Sequence, residues 1–252
     1  MSNTDSRKGE FIIGIAYFEY KGKKSTDFGL MIDPEFSLGS PEYDVTLEEI
    51  SGVDGDIATD NKRLKGLTRE IPIFFDSVTN LNQSADEVSN WLKTNVGWHE
   101  LTFSDNPNFV YQALHYEQYD IKKTLQEYSK TIINFRLKPY KFYQSGLAEI
   151  QLTNGQTLNN IGSRPARPLI KLLGDGDMTL TIGDQIINLQ GVDTGIIIDI
   201  LADTVVNING RIPEWTKLYT YPLPKLPVGE FTVSWTGAES VSMIPRWEAL
   251  LP

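Results

Sequence analysis

Few side chains in this sequence are equipped to do chemistry. Its 252 residues include two histidines and no cysteine, which removes disulfides, thiolate nucleophiles, iron–sulfur ligation and the common zinc sets. His99 follows Trp98, and His115 lies in Leu114-His-Tyr116. Either could act as a general base, but no nucleophile signature accompanies them, and both read more simply as strand residues. Asp54-Gly-Asp56 and Asp175-Gly-Asp177 each set two carboxylates around a glycine. Clustered oxygens suit a hard cation such as calcium. Neither stretch continues with the further acidic ligands of a calcium loop, and Asp-Gly is also an ordinary tight turn. Two of the 33 acidic residues could serve a glycosidase, yet no spacing singles out a pair. No phosphate-cradling glycine loop, nucleophile elbow or HExxH stretch occurs. The expectation is a protein with no catalytic residues, no metal site and no cofactor.

Aromatic residues are better candidates for binding. Trp215, Tyr219, Tyr221, Trp235 and Trp247 fall close together in the sequence. Exposed rings of this kind stack on sugars or anchor a partner, whereas tryptophans in small β domains more often fill the core. Trp215, Tyr219 and Tyr221 are the three candidates for glycan binding or docking.

Charge and composition narrow the class further. The chain carries 23 basic and 33 acidic side chains, a net charge of −10, with the acidic excess in both halves. No basic half exists to grip phosphates, so sequence-independent nucleic-acid binding is disfavoured. A hydrophobic content of 40% with 11% aromatic residues exceeds that of disordered chains and suits one large or two modest domains. No apolar run approaches the roughly 18 residues of a membrane span, so no membrane insertion is expected. The opening segment has no apolar stretch after its charges and reads as no secretory signal; Met1–Lys8 is expected to fray.

The elements that must position these residues are mostly strands. Strand patterns run over Phe11 to Tyr20, Phe28 to Ile32, Tyr43 to Ile50 and Leu67 to Phe75, with Pro72 suggesting an edge position or a bulge. Gly52-Val-Asp-Gly55-Asp56 is a turn. Ser84-Ala-Asp-Glu87 reads as a capping box opening a helix through Val88, Trp91 and Leu92, stopped near Gly97. Strands follow at Leu101 to Phe103, Phe109 to Tyr116 and Ile132 to Leu137.

The texture changes at Lys138-Pro139. Short strands then recur about every ten residues, a sandwich or barrel signature: Ala148–Leu152, Pro168–Leu173, Met178–Ile182, Gln185–Leu189, Gly195–Ile200, Val205–Ile208, Phe231–Trp235 and Val241–Trp247. The proline-rich Tyr221–Pro227 reads as an edge crossing. The fold class is mainly β: an α+β first domain with one helix, residues 1–140, and an all-β second domain, residues 141–252.

The order of these features resembles the distal tail protein (Dit) family of long-tailed, non-contractile bacteriophages of Gram-positive hosts. The stretches that carry it are Lys24-Ser-Thr-Asp-Phe28-Gly29-Leu30, Gly52-Val-Asp-Gly55-Asp56-Ile57, Phe135-Arg-Leu-Lys138-Pro139-Tyr140, Asn159-Asn160-Ile-Gly162 with Arg167-Pro-Leu-Ile170, Gly174 to Ile182, Leu226-Pro-Val-Gly229 and Ser242 to Trp247. They span almost the whole chain, roughly Gly9 to Leu251.

The resemblance implies a ring-forming first domain and a galectin-like β-sandwich second domain. It implies a non-catalytic virion protein, made in the host cytoplasm and placed at the tail tip as a homo-hexamer. Its implied partners are the major tail tube protein above, a tail-associated lysin or fibre below, and the tape measure and receptor-binding or baseplate proteins. DNA would only pass through the channel. A ring closes through heterologous contacts between two different patches. The stretch from Asp54 to Lys65, with Asp54, Gly55, Asp56, Lys62, Arg63 and Lys65, is the expected inter-subunit or tail-tube contact; a solvated hairpin tip is the plainer reading. Longer members carry an inserted carbohydrate-binding module, for which 252 residues leave no space. The alternative class is a carbohydrate-binding adhesin module recognising cell-wall glycans.

Overall fold

A computed structural model describes residues 16–33, 39–75, 81–119 and 130–251. Met1–Lys8 and the Phe11 to Ile15 part of the first expected strand lie outside them. The first half contains β1 (Phe18–Tyr20), β2 (Lys23–Lys24), β3 (Leu30–Ile32), β4 (Tyr43–Glu49), β5 (Asp56–Leu64) and β6 (Leu67–Phe75). Then come α1 (Leu81–Lys93), β7 (His99–Phe103), β8 (Phe109–Leu114) and β9 (Lys130–Tyr143). The second half adds β10 (Ile150–Gln151), β11 (Gln156–Asn160), β12 (Leu169–Leu173), β13 (Gly176–Ile182) and β14 (Gln185–Val192). It ends with β15 (Gly195–Asp199), β16 (Thr204–Asn207), β17 (Gly229–Thr236), β18 (Ser240–Ile244) and β19 (Glu248–Leu250). The protein is mainly β with a single α-helix among the described residues, as expected.

Strand alternation builds the first core. The sheet runs β2-β1-β7-β8-β9-β6-β3, and successive side chains point to opposite faces. Phe18, Tyr20, Leu101, Ile71, Ile133 and Phe135 thus share one face, where α1 lays Val88, Trp91 and Leu92, spaced for one side of a helix. Trp91 is the anchor. Its ring stacks on Phe28 at 4.5 Å and Phe18 at 5.7 Å between centroids, and its indole N–H donates to the Tyr20 carbonyl at 3.0 Å.

The second core lies between two antiparallel sheets, β10-β18-β12-β15-β16 and β11-β17-β13-β14. Ile170, Leu172, Ile196 and Ile198 from the first interleave with Leu180, Ile182, Ile187 and Val233 from the second. This is a β-sandwich, whose inward positions alternate with outward polar ones.

Several local expectations are corrected. The helix spans Leu81–Lys93, so Ser84-Ala-Asp-Glu87 lies inside it rather than at its opening; serine is only mildly unfavourable in a helix interior. Pro72 is not on an edge strand, because β6 lies between β9 and β3. Its carbonyl accepts the Asp33 N–H at 2.9 Å, so its missing N–H also faces the β3 side, just beyond the last β3 residue, and removes no rung to β9. Phe28 ends a short 3-10 turn rather than opening a strand. Val241–Trp247 is broken at Pro245-Arg246, where Arg246 has φ 55°.

The largest difference is at the seam between the halves. β9 continues through Pro139 to Tyr143, so residues 140 and 141 both lie inside a strand. Pro139 sits where β9 exchanges its β6 partner, last paired at Leu137, for β19, first paired at Tyr140. A proline without a donor fits such a change of partner. The final strand thereby returns to the first sheet, and Leu251 packs in the first core.

Candidate interaction site

The site is built on the β4–β5 hairpin, a two-stranded sheet that pairs with no other strand among the described residues. Gly52 and Gly55 adopt φ of 87° and 84° at its turn, a left-handed conformation that glycine takes without steric cost. Register places Val45 opposite Asp60 and Leu47 opposite Ala58, so Tyr43, Val45 and Leu47 share one face. That alternation normally marks a strand lying on a core. Here Tyr43 is 61% and Leu47 62% exposed, and Ile50, Val53 and Ile57 are exposed around the tip. An isolated hairpin is marginal in water, and contiguous exposed apolar residues mark interaction surfaces.

The charged residues named from the sequence do not form one loop. Asp54 and Gly55 lie at the turn and Asp56 opens β5, whereas Lys62 and Arg63 lie near the end of that strand and Lys65 just beyond it. About 3.3 Å of rise per residue puts the two groups some 20 Å apart. The tip is acidic: Glu48, Glu49, Asp54 and Asp56 are exposed, with no basic residue between Thr46 and Thr59.

The root carries Lys62, Arg63 and Lys65, ion-paired with Asp60, Asp44 and Glu42. Tyr43 pairs with Leu64 but Val45 pairs with Asp60, a bulge accommodated by Lys62 at φ 59°. The Asp60 carboxylate accepts the Lys62 backbone N–H at 2.7 Å. Arg63 donates through Nε to Asp44 at 2.5 Å. That hydrogen bond, helped by Asn61 and Lys65, holds the Asp44 carboxyl below the usual carboxylate range. Beside the root lies a cleft of about 210 Å³ lined by Tyr43, Lys62, Arg63, Leu64, Arg164 and Leu250. It combines three cations with apolar walls, and two of the cations, Lys62 and Arg63, are ion-paired with Asp60 and Asp44. Sequence reasoning missed Arg164 and Leu250, which come from distant stretches, and missed the apolar face, whose only signal was the alternation of β4.

The aromatic candidates lie elsewhere. The segment from Arg211 to Lys225 closes the edges of both second-half sheets. Asn207 donates to the Ile212 carbonyl at 2.9 Å beside β16, and Tyr219 donates to the Asn188 carbonyl at 2.9 Å beside β14. In the proline-rich stretch itself, the Gln185 side chain at the start of β14 donates to the Lys225 carbonyl at 2.7 Å and accepts the Lys225 N–H at 3.1 Å, and Leu226 pairs with Ala166, in keeping with the edge crossing expected there. Trp215, Tyr219 and Tyr221 point outward, with Tyr221 72% exposed. Trp247 is buried in the sandwich core and Trp235 packs against it, so neither joins them.

The second acidic pair and the histidines have structural partners. Asp175 accepts the Thr194 N–H at 2.6 Å and Asp177 the Gly191 N–H at 3.0 Å, which pins neighbouring turns. Among the described residues no group of three or more potential metal ligands converges, and no helix is long and apolar enough to cross a membrane. The His99 ring lies 2.8 Å from the Asn95 carbonyl. His115 is buried, its Nδ1 2.9 Å from the Asn134 carbonyl.

No protein-family model matches the chain, and no curated protein matches it in sequence. Among solved structures, the chain is similar to the crystal structure of the Dit protein (gp 19.1) of SPP1, described as a paradigm of the hub adsorption apparatus in phages infecting Gram-positive bacteria. The TM-score is 0.72 at 18% sequence identity, covering 91% of this chain and 98% of that one. The likeness shows the fold, and the neighbour is a Dit protein, the family that the order of motifs resembles.

Proposed function

We propose that this chain is a distal tail protein: a structural hub at the tail tip of a long-tailed phage, without catalysis of its own. Six copies close a ring that joins the tail tube to the tail-associated lysin or fibre and lets DNA pass. The first half forms the ring, and the galectin-like sandwich projects outward to dock baseplate or receptor-binding proteins. The observation that carries this reading is the β4–β5 hairpin. It presents an apolar face that nothing in the described chain covers, in a protein with the fold of a hub component. A neighbouring copy is the natural cover, because a ring needs each subunit to offer two different surfaces.

The charge supports passage of DNA rather than its capture. At −10 per chain, a ring of six carries about −60, which disfavours lasting contact with phosphates. Electron microscopy of the purified protein tests the proposal. Rings with six-fold symmetry, a central hole and peripheral lobes support it; single separate particles at every concentration count against it.

The outward Tyr219 and Tyr221 favour a second reading, a glycan-binding surface on the sandwich, since exposed rings stack on sugars. Retention on cell-wall glycan that is lost in Tyr219→Ala and Tyr221→Ala supports it. Absence of retention at millimolar ligand removes it.

A further inference from the structure

The outer face of one sandwich sheet carries two neighbouring rungs without a charged side chain. Along β14, Ile187 and Leu189 turn into the core, so Ile186 and Asn188 turn outward. Register sets Asn188 opposite Thr179 and Ile186 opposite Thr181 on β13. These in turn lie opposite Thr236 and Ser234 on β17. At the far edge of β14, Leu189 bridges to Leu218 and the Tyr219 N–H donates to the Asn188 carbonyl at 2.9 Å. Tyr219 therefore continues the Asn188 rung, and Tyr221, two residues on, falls on the same side toward Ile186. Both rings are largely exposed. The face thus joins two phenol rings to an amide and four hydroxyls, roughly 14 Å across four strand positions spaced about 4.8 Å apart.

That composition selects the ligand. Ile186 is the one aliphatic side chain of the two rungs, too little apolar surface for the core of a protein–protein contact. A sugar chain offers apolar C–H faces for the rings and a rim of hydroxyls, each both donor and acceptor, for the threonines and serine. Thr179 donates to Asn188 Oδ1 at 3.4 Å, which leaves the Asn188 amide N–H groups to donate to a ligand. The exposed Asp177 and Asp184 stand at the two ends of the β13–β14 pair, in a chain of net charge −10, so an anionic polymer is repelled. We propose that this face binds an uncharged polysaccharide, with Tyr219 and Tyr221 stacked on sugar rings and Asn188, Thr181 and Ser234 hydrogen-bonded to sugar hydroxyls. This rests on the glycan reading of the sandwich and adds what the tyrosines alone do not specify: the charge class of the ligand and the hydroxyl face that holds it.

Titration calorimetry of the full chain tests this with soluble probes of both charge classes. Cellohexaose, mannohexaose and chitotetraose are the uncharged set; oligogalacturonate and glycerol-phosphate teichoic acid are the anionic set. At least one uncharged probe is expected to bind, and the anionic probes at least roughly tenfold more weakly. Tyr221→Ala removes one stacking ring and should raise Kd by roughly tenfold. Thr181→Val with Ser234→Ala deletes two hydroxyls with little change of shape and should raise Kd several-fold. Melting temperatures equal to that of the wild type keep folding separate from binding. Binding that is lost in Tyr221→Ala but unchanged in the hydroxyl variant overturns the hydroxyl face while the glycan reading stands. A preference for the anionic probes overturns the uncharged class and also leaves that reading standing. No binding of any probe at millimolar concentration overturns both.

Discussion

Glu248 and Arg167 are joined by a bidentate ion pair, Nε to Oε1 at 2.6 Å and Nη2 to Oε2 at 3.0 Å. Glu248 is 1% exposed and stands on β19, which pairs with β9. Arg167 precedes β12 of the sandwich, and its guanidinium lies 4.5 Å from the centre of the Tyr140 ring on β9. One pair thus ties the second half to the sheet of the first. Burial opposes the Arg167 charge, but its hydrogen bonds to Glu248, the attraction of that carboxylate and the contribution of Tyr140 together outweigh it and raise its pKa above the ordinary arginine value.

Removing one member of this pair leaves a buried charge without its partner, a change that typically destabilises by about 3–5 kcal/mol. Arg167→Met and Glu248→Met should each lower the denaturation midpoint strongly. The double replacement should lose less than either single change, since no lone charge remains. Chemical denaturation of the three variants measures this.

Gly162 is packed against the same strand. A Cβ placed there would lie 2.2 Å from the Glu248 carbonyl oxygen, far inside contact distance, so backbone must move. Gly162→Ala should destabilise by about 1–3 kcal/mol and speed hydrogen exchange of β19 amides more than those of the distant β13.

Trp91 couples the helix to the sheet, and its truncation should be among the costliest core changes, about 3–5 kcal/mol for Trp91→Ala. Trp91→Phe should retain most of the stacking on Phe28 but lose the bond to the Tyr20 carbonyl, with a loss of about 1 kcal/mol. Thermal unfolding of both variants gives the order.

Acid sensitivity should begin with His115. Burial lowers its imidazole pKa below the ordinary histidine value, with Lys93 and Lys21 adding to the effect against the Asn134 carbonyl and Glu117. The unfolded chain therefore takes up a proton first as pH falls through about 6.5. Stability is full above that value and declines below it, by at most about 1.4 kcal/mol per pH unit, until the folded pKa is passed. His115→Leu should flatten this slope between pH 7 and 5.5, whatever its own effect on stability. Asp199 and Asp44, whose carboxyls are held low, extend the loss at more acidic pH.

Much of the fold could be read from the chain because alternation and turn chemistry are local. Phe18 and Tyr20, the β4 alternation and the β12 to β16 series all follow from neighbours in sequence. Gln156–Asn160 was not legible: Leu158 is its one large apolar residue, and it is a strand because β17 supplies its partner. Pro139 misled for the same reason, since only the return of β19 shows where β9 changes partner. The site was half legible. Lys62, Arg63 and Asp54 were picked out by charge, but alternation in β4 does not say whether its apolar face meets a core or another molecule. Arg164 and Leu250 reach the root cleft only through the fold.

The central claim is that copies of this chain assemble into a ring through the hairpin, and native mass spectrometry tests it most directly. Six chains of 28.4 kDa predict a species of about 170 kDa. Leu47→Asp, which places a charge on the uncovered apolar face, should collapse that species to monomer without lowering the melting temperature of the monomer. A wild-type protein found only at 28.4 kDa at high concentration, or a hexamer indifferent to Leu47→Asp, would contradict the account.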